Sequence, residues 1–212
     1  MKTSIILSIC FLCFKVQSQN FEGIIKYEVS YKNPTPAFMS EEEFKKKNPN
    51  LKSHYEFFYF KNNTYKYVYE NNIDALDPLK QRVYTYVIGA DTSLWNDANM
   101  ASEDIIEVKK NTEKDTVLGF ICESITFRTK WGKTIFTFNR DQLKIDAGKF
   151  SNHAYKSLGD FLKESNCLPL KITYKTGFEC LVYTAVNIQE KKLDLKEFNI
   201  PAFRYPIKNH HQ

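Results

Sequence analysis

Apolar and polar residues alternate with a period of two along most of this 212-residue chain, a pattern typical of half-buried strands. Phe21, Ile25, Tyr27, Val29 and Tyr31 fall on one face of the first such segment, with polar residues on the other. Further alternating or apolar segments occupy 55–60, 64–70, 82–88, 93–96, 104–109, 116–129, 133–139, 142–146, 168–175 and 178–188. Strand after strand with short polar connections predicts an antiparallel sheet.

Two connections have the chemistry of tight turns. Asn62 and Asn63 separate two aromatic segments, and asparagine tolerates the left-handed backbone that a short hairpin turn needs. Thr176 and Gly177 join the last two segments in the same way. We therefore expect hairpins at both places.

Helices are few in this sequence. Ser40 followed by Glu43 is a capping-box signature, so a helix is predicted over 41–47. A second helix is predicted over 154–164, where apolar residues recur on one helical face. Short helical turns are predicted at 75–80 and 195–198. The fold class that follows is mainly β with a few helices (α+β): a curved antiparallel sheet or half-open barrel wrapped around short helices.

The first 18 residues have the parts of a cleavable signal peptide. Lys2 gives a positive start, residues 5–14 form an apolar core, and Ser18 offers a small side chain before the cleavage point. The core is shorter than the ~20 residues that a spanning helix needs. We expect cleavage near Ser18/Gln19, which leaves one β-rich domain, 19–212, in the periplasm or outside the cell. A buried N-terminal helix or a permanent anchor is the alternative.

Charge argues against a nucleic-acid partner. Removing residues 1–18 lowers the formal net charge from +5 to +3. Nucleic-acid binders concentrate basic residues into a patch, whereas here three lysines at 45–47 follow three glutamates at 41–43, as on a solvated helix. The mature chain also has no segment apolar enough to cross a membrane. We expect neither a nucleic-acid partner nor a transmembrane segment.

Three cysteines remain after cleavage: Cys122, Cys167 and Cys180. An exported chain can form a disulfide, and a buried inert thiol is the alternative for Cys180. A two-residue turn after Lys175 would place it opposite Phe178 and separate Cys167 from Cys180 by about 20 Å, too far for a bridge. If one disulfide forms, we expect Cys122 to be a member of it.

The sequence contains no recognisable catalytic motif. Zinc-protease, nucleophile-elbow, phosphate-loop and dinucleotide-binding patterns do not occur. A pairing of Cys167 with His54 or His153 stays open, because spatial neighbours need not be sequence neighbours. The aspartates between 74 and 104 fit no calcium loop. We expect a protein that is not an enzyme and carries no metal or cofactor.

Aromatic content is the feature that departs most from background. The hairpin at 55–70 carries rings on both faces, and more follow on the next predicted strand. Three interpretations stay open: cross-strand aromatic pairs in a filled core, an apolar ligand cavity, or a partner surface. The candidate ligand-binding residues are Phe58, Phe60, Tyr65, Tyr67, Tyr69, Tyr84 and Tyr86.

Four short segments resemble exported Bacteroidota proteins of the GLPGLI-like family. They are 21–27 (FEGIIKY), 118–123 (LGFICE), 168–171 (LPLK) and 198–201 (FNIP). The Gly-Leu-Pro-Gly-Leu-Ile motif itself is absent, so the resemblance is to a divergent member. It implies a sheet curved around a few helices, similar to the periplasmic lipoprotein-carrier (LolA/LolB-like) fold.

Two functions follow as expectations. The first is an exported, periplasmic, non-enzymatic binding module that holds an apolar or lipid-like ligand in its curved sheet. The second is a cell-envelope structural or protein-interaction protein with a filled core and a protein partner. An interior cavity lined by tyrosine and phenylalanine would favour the first function. A packed interior with an exposed aromatic patch would favour the second.

Overall fold

One sheet of 12 strands organises the part of the chain that the computed structural model describes, residues 20–101 and 103–209. The predicted signal peptide lies outside the described residues. The strands are β1 Gly23–Tyr31, β2 His54–Lys61, β3 Thr64–Tyr69, β4 Asn72–Asp77, β5 Arg82–Val87, β6 Thr92–Asp97, β7 Glu107–Val117, β8 Phe120–Arg128, β9 Gly132–Phe138, β10 Lys171–Thr176, β11 Cys180–Glu190 and β12 Tyr205–Lys208.

The strand order is β12-β6-β5-β4-β3-β2-β1-β11-β10-β9-β8-β7. Neighbours pair antiparallel, except that β12 lies parallel to β6. The sheet is curved and open rather than closed, which confirms the predicted fold class. Strand β1 pairs with β11, so the first strand meets a late strand of the chain near the centre of the sheet, while β12 forms one edge.

Two α-helices and three 3₁₀ helices accompany the sheet within the described residues. Helix α1, Glu41–Lys47, has the predicted capping box, with Ser40 and Glu43 bonding each other's backbone. Helix α2, Leu158–Ser165, begins four residues later than predicted. The 3₁₀ helices are Ala147–Phe150, Tyr155–Ser157 and Leu195–Phe198, the last at a predicted helical turn. No helix among the described residues is long and apolar enough to span a membrane.

The two faces of the sheet are covered differently. The inner face carries Tyr27 and Phe58, and it packs against α2, whose Phe161 ring stacks on Phe136 with centroids 4.4 Å apart. This contact belongs to a large core between the inner face and the helices. The outer face carries a smaller cluster, in which the C-terminal segment lays Phe203 over β4 and β5.

Four sequence predictions need correction. Residues 75–80 are not a helical turn, because 75–77 belong to β4 and 78–80 form the turn that follows it. The predicted strand 116–129 is broken by a tight turn at Leu118 and Gly119, both with positive φ. The last hairpin pairs Lys175 with Cys180 rather than Phe178, because its turn is centred one residue later than predicted, on 177–178. The predicted strand 142–146 is reduced to a single bridge between Lys144 and Cys167.

The structure forms no disulfide among the candidate cysteines: Cys122, Cys167 and Cys180 are all buried and free. Cys122 lies on β8 and Cys180 on β11, with β9 and β10 between them. At ~4.8 Å per strand, the three strand spacings alone separate them by at least about 14 Å, well beyond the ~7 Å limit for bridged Cα atoms. The register adds to this distance, because it aligns Cys180 with Arg128, six residues along β8 from Cys122. The buried-thiol interpretation agrees with this arrangement.

Candidate functional site

A cavity of about 560 Å³ lies between the inner face of the sheet and the segment that leads into α2. Strands β1, β2 and β3 form one wall, and β9, β10 and β11 form the other. Residues 155–158 lie along its margin. This volume is within the range of about 300–1,000 Å³ that is usual for small-molecule sites.

Most of the cavity surface is aromatic or aliphatic. The Phe58 ring lies 5.5 Å from that of Tyr65 and 5.9 Å from that of Tyr67, measured between centroids. The Tyr67 ring in turn lies 6.5 Å from that of Tyr183 on the far wall. The tyrosines that line the cavity are Tyr27, Tyr65, Tyr67, Tyr155, Tyr174 and Tyr183. The other apolar contributors include Phe136, Leu158, Ile172 and Leu181.

Three of the seven candidate residues from the sequence, Phe58, Tyr65 and Tyr67, line this cavity. Phe60 is on the same face but only 1% exposed, because it is packed between Phe21 and Phe150. It therefore belongs to the core rather than to the cavity surface.

The other candidates are placed elsewhere. Tyr69 is on the inner face beside Tyr67, with ring centroids 5.9 Å apart, and its hydroxyl donates to Asp74 at 3.4 Å, but it is not one of the residues that line the cavity. Tyr84 and Tyr86 are on the outer face, buried beneath Phe203. Their assignment to a ligand cavity is corrected, because the β4–β5 register turns both rings away from the interior.

A carboxylate marks the polar end of the cavity. Asp74, on β4, is 6% exposed and lines the cavity. It accepts a 2.7 Å hydrogen bond from the Thr85 hydroxyl and lies 3.6 Å from Nζ of Lys156. Charge-assisted contacts of this kind are what makes a buried carboxylate tolerable.

The backbone at the cavity margin is strained. Lys156 has φ of 52° and Ser157 has φ of 57°, both in the left-handed region that side chains other than glycine rarely adopt. Such conformations cost about 1–3 kcal/mol each and are often found at binding sites. Here they place both residues against the cavity.

The tyrosine hydroxyls are held in their protonated, hydrogen-bonding form. Burial raises the pKa of Tyr67 well above its ordinary value, and the nearby carboxylate of Glu56 raises it further. Burial, and after it the carboxylate of Asp74, also raise the pKa of Tyr65. Glu56 is itself buried and lies 2.7 Å from Nε2 of His54. The cavity therefore presents neutral phenols that can both donate and accept hydrogen bonds.

The groups that could act as nucleophile or base are held away from reactive forms. Burial lowers the pKa of His153 to about 4, and its Nε2 lies 3.4 Å from the Tyr65 hydroxyl. Burial raises the pKa of the Cys167 thiol to about 11 and also raises that of Cys122. A neutral histidine and protonated thiols are typical of structural positions.

The sequence reasoning missed much of the cavity wall. Tyr174 and Tyr183 fall on the inner faces of correctly predicted strands, so the alternation placed them on a face but not beside Tyr67. Asp74 was not a candidate because β4, the strand that carries it, was not predicted. Asn96 gave no signal beyond its position in a short strand.

Comparison with known proteins shows a similarity of fold only. No family model matches the chain, and no curated protein matches it either. Two solved structures of PNGF-II, in the P21 and C2 space groups, have TM-scores of 0.52 and 0.50 and 12% sequence identity. The match covers 89% of this chain but 32% and 31% of theirs, so this chain spans about a third of their length. At that identity the likeness describes the fold alone.

Proposed function

We propose that this chain is an exported, non-enzymatic binding module that holds an apolar or lipid-like ligand in its curved sheet. The observation that carries the proposal is the 560 Å³ cavity lined mainly by tyrosine, phenylalanine and aliphatic side chains. A filled interior was the feature that would have favoured the structural alternative. The proposal places the protein in the periplasm, or outside the cell, after cleavage near Ser18/Gln19.

The composition of the cavity suits a ligand with an apolar body. Burying apolar surface contributes about 25 cal/mol per Å², so rings such as Phe58 and Tyr183 provide most of the binding free energy. Tyrosine adds a hydroxyl that satisfies an occasional polar atom without a charge. Neighbouring rings at 5.5–6.5 Å support one another and keep the cavity preformed.

The titratable groups support binding rather than catalysis. General bases work best with a pKa near the operating pH, whereas burial lowers the pKa of His153 to about 4. Nucleophilic cysteines need a depressed pKa, whereas burial raises that of Cys167 to about 11.

The test is to purify the protein from the envelope of its native host and record native mass spectra, followed by solvent extraction. We expect an adduct that disappears on extraction and an apolar molecule in the extract. N-terminal sequencing of the same sample should begin at Gln19 or within a residue or two of it. An extract free of apolar molecules, together with no uptake of an apolar fluorescent probe, would contradict the binding function.

An envelope structural or interaction protein is the second candidate, and the outer face of β2 is the observation that favours it. Tyr55 is 53% exposed and Phe57 is 37% exposed. The Nζ atom of Lys26 lies 3.7 Å from the centre of the Tyr55 ring, so part of this patch is already covered by a cation–π contact. Affinity capture with Tyr55→Ala and Phe57→Ala as negative baits distinguishes this function from ligand binding. The resemblance to GLPGLI-like proteins is compatible with either candidate.

A further inference from the structure

Asn96 has a free acceptor atom at the cavity. It lies on β6 opposite Val83 and is only 4% exposed. Its side chain lines the cavity, yet its Oδ1 atom has no hydrogen-bond partner. A buried acceptor without a partner is unfavourable, so native proteins nearly always satisfy such atoms with protein, water or ligand. Oδ1 of Asn96 therefore marks a place where a donor is expected.

The charges around the cavity narrow the choice of donor. The four charged residues that line it are two acids, Asp74 and Glu103, and two bases, Lys133 and Lys156. Asp74 already has Lys156 at 3.6 Å and the Thr85 hydroxyl at 2.7 Å. A cationic or anionic head group would bring an unbalanced charge into this balanced set, at a large desolvation cost. A hydroxyl donates a hydrogen bond without adding charge.

We infer that the ligand is amphipathic, with an uncharged, hydroxyl-bearing head that donates a hydrogen bond to Oδ1 of Asn96 and an apolar body that packs against Phe58 and Tyr183. This inference rests on the proposed binding function and names the chemistry of its ligand. An ionised carboxylate cannot make this contact because it has only acceptors. Tyr65 and Tyr155 line the same cavity, and a phenol hydroxyl can both donate and accept hydrogen bonds with further head-group hydroxyls.

Three probes with the same twelve-carbon chain separate the head groups: 1-monolauroylglycerol, dodecylamine and laurate. Each is titrated calorimetrically into the exported domain at pH 7, below its micelle concentration. We expect 1-monolauroylglycerol to bind about tenfold more tightly than either charged probe, since a charged head loses hydration on entry.

Two substitutions test the role of Asn96. Asn96→Ala should weaken 1-monolauroylglycerol binding about three- to tenfold, the worth of one hydrogen bond, with little effect on laurate. Asn96→Asp keeps the shape but adds a negative charge, so the order should change in favour of dodecylamine. Asn96→Asp also keeps the test informative if Asn96→Ala does not fold.

Ser93→Ala is the matched control. Ser93 is on the same strand, is buried, and also has an unpartnered side-chain oxygen. It is three positions before Asn96, so its side chain is on the opposite face of the strand. It should leave all three affinities unchanged. Urea midpoints of every variant show that each is folded.

The outcomes separate the two proposals. If none of the three probes binds, the binding function itself is wrong, and this inference with it. If the probes bind but a charged one binds as tightly as 1-monolauroylglycerol, the head-group inference is wrong while the binding function stands. An unchanged order of affinities in Asn96→Asp overturns the head-group inference in the same way.

Discussion

The hydroxyl of Tyr27 donates a 2.6 Å hydrogen bond to the backbone carbonyl of Pro169, a residue 142 positions away in the chain. Both residues line the cavity. The bond therefore ties the first strand to the segment entering β10, across the floor of the candidate site. Burial raises the pKa of Tyr27, so the hydroxyl remains a donor throughout the physiological range.

Tyr27→Phe should destabilise the protein by about 1–3 kcal/mol, because it leaves the buried Pro169 carbonyl without a donor. Urea unfolding followed by circular dichroism measures the change in the free energy of unfolding. Tyr55→Phe is the control, since Tyr55 is exposed and its variant should stay within about 0.5 kcal/mol of the parent. Equal stabilities for the two variants would show that the Tyr27 bond contributes nothing.

Gly159→Ala should destabilise the protein by about 2–3 kcal/mol or more. A Cβ atom at Gly159 would lie 1.6 Å from the backbone oxygen of His153, so α2 would have to move away from the preceding loop. Gly177→Ala is the matched control, because a Cβ atom there meets nothing within 4 Å. Thermal unfolding of both variants gives the comparison, and a similar midpoint for the two would place α2 differently from the packing described above.

Stability should fall between pH 7.5 and pH 5.0 because of His153. Its folded pKa of about 4 lies below the ordinary value of 6.5, so the unfolded chain binds the proton first as the pH falls. Stability attributable to this residue is complete above pH 6.5 and is lost towards pH 4, with about 2 kcal/mol gone by pH 5.0. In His153→Gln that loss should be absent.

The range from pH 7.5 to pH 5.0 is chosen because carboxylates with lowered pKa values lose their contribution to stability only at lower pH. Burial of Glu22 raises its pKa, but Lys61 and the Leu193 amide outweigh that effect and hold it below 4.5. Its contribution is lost only as the pH falls below that value. Urea unfolding at several pH values measures the slope. An identical slope in the parent and in His153→Gln would contradict the burial of a neutral imidazole.

The three cysteines should behave as buried thiols. In native protein starting at Gln19, Cys122, Cys167 and Cys180 should react slowly with Ellman's reagent, because burial keeps them protonated and inaccessible. After unfolding in denaturant, three equivalents should react. Intact mass before and after reduction is the check, and an increase on reduction would reveal a disulfide that the structure does not have.

The local pattern predicted most strands because a half-buried strand has a fixed period of two. The β2–β3 hairpin is a good example: Asn62 has φ of 53°, and Lys61 pairs with Thr64 as a two-residue turn requires. Helix α1 was predicted to the residue because its capping box is encoded within four positions, Ser40 to Glu43. Features that depend on residues close together in the sequence could therefore be predicted.

Face assignment failed where one strand was missing from the prediction. Tyr67 pairs with Asp74 on β4, and Asp74 pairs with Thr85 on β5, so Thr85 shares the inner face. The residue beside it, Tyr84, must then point outward. Without β4 this alternation could not be followed from β3 to β5, and both tyrosines of β5 were assigned to the cavity.

The far wall of the cavity depends on long-range pairing. Tyr183 comes close to Tyr67 only because β11 pairs with β1, strands that lie far apart in the chain. The start of α2 could not be predicted either, since Lys156 and Ser157 adopt left-handed conformations that their residue types disfavour. Tertiary packing imposes both features.

Phe58 and Phe57 provide the sharpest test of the cavity. They are consecutive residues of β2, but Phe58 lines the cavity while Phe57 lies on the outer face, 37% exposed. Phe58→Ala should weaken binding of an apolar fluorescent probe about tenfold or more, because it removes a ring that the ligand would bury. Phe57→Ala, with the same change in composition, should leave probe affinity unchanged.

Stability has to be measured together with binding. Truncating a buried ring commonly costs about 3–5 kcal/mol, so probe titrations of Phe58→Ala belong at a temperature where urea midpoints show the variant fully folded. Tyr67→Phe is a milder second variant that keeps the ring and removes the hydroxyl next to Glu56. It should retain probe binding, since an apolar probe uses the ring rather than the hydroxyl. If Phe57→Ala weakens binding as much as Phe58→Ala does, the probe binds the outer face, and the cavity is not the binding site.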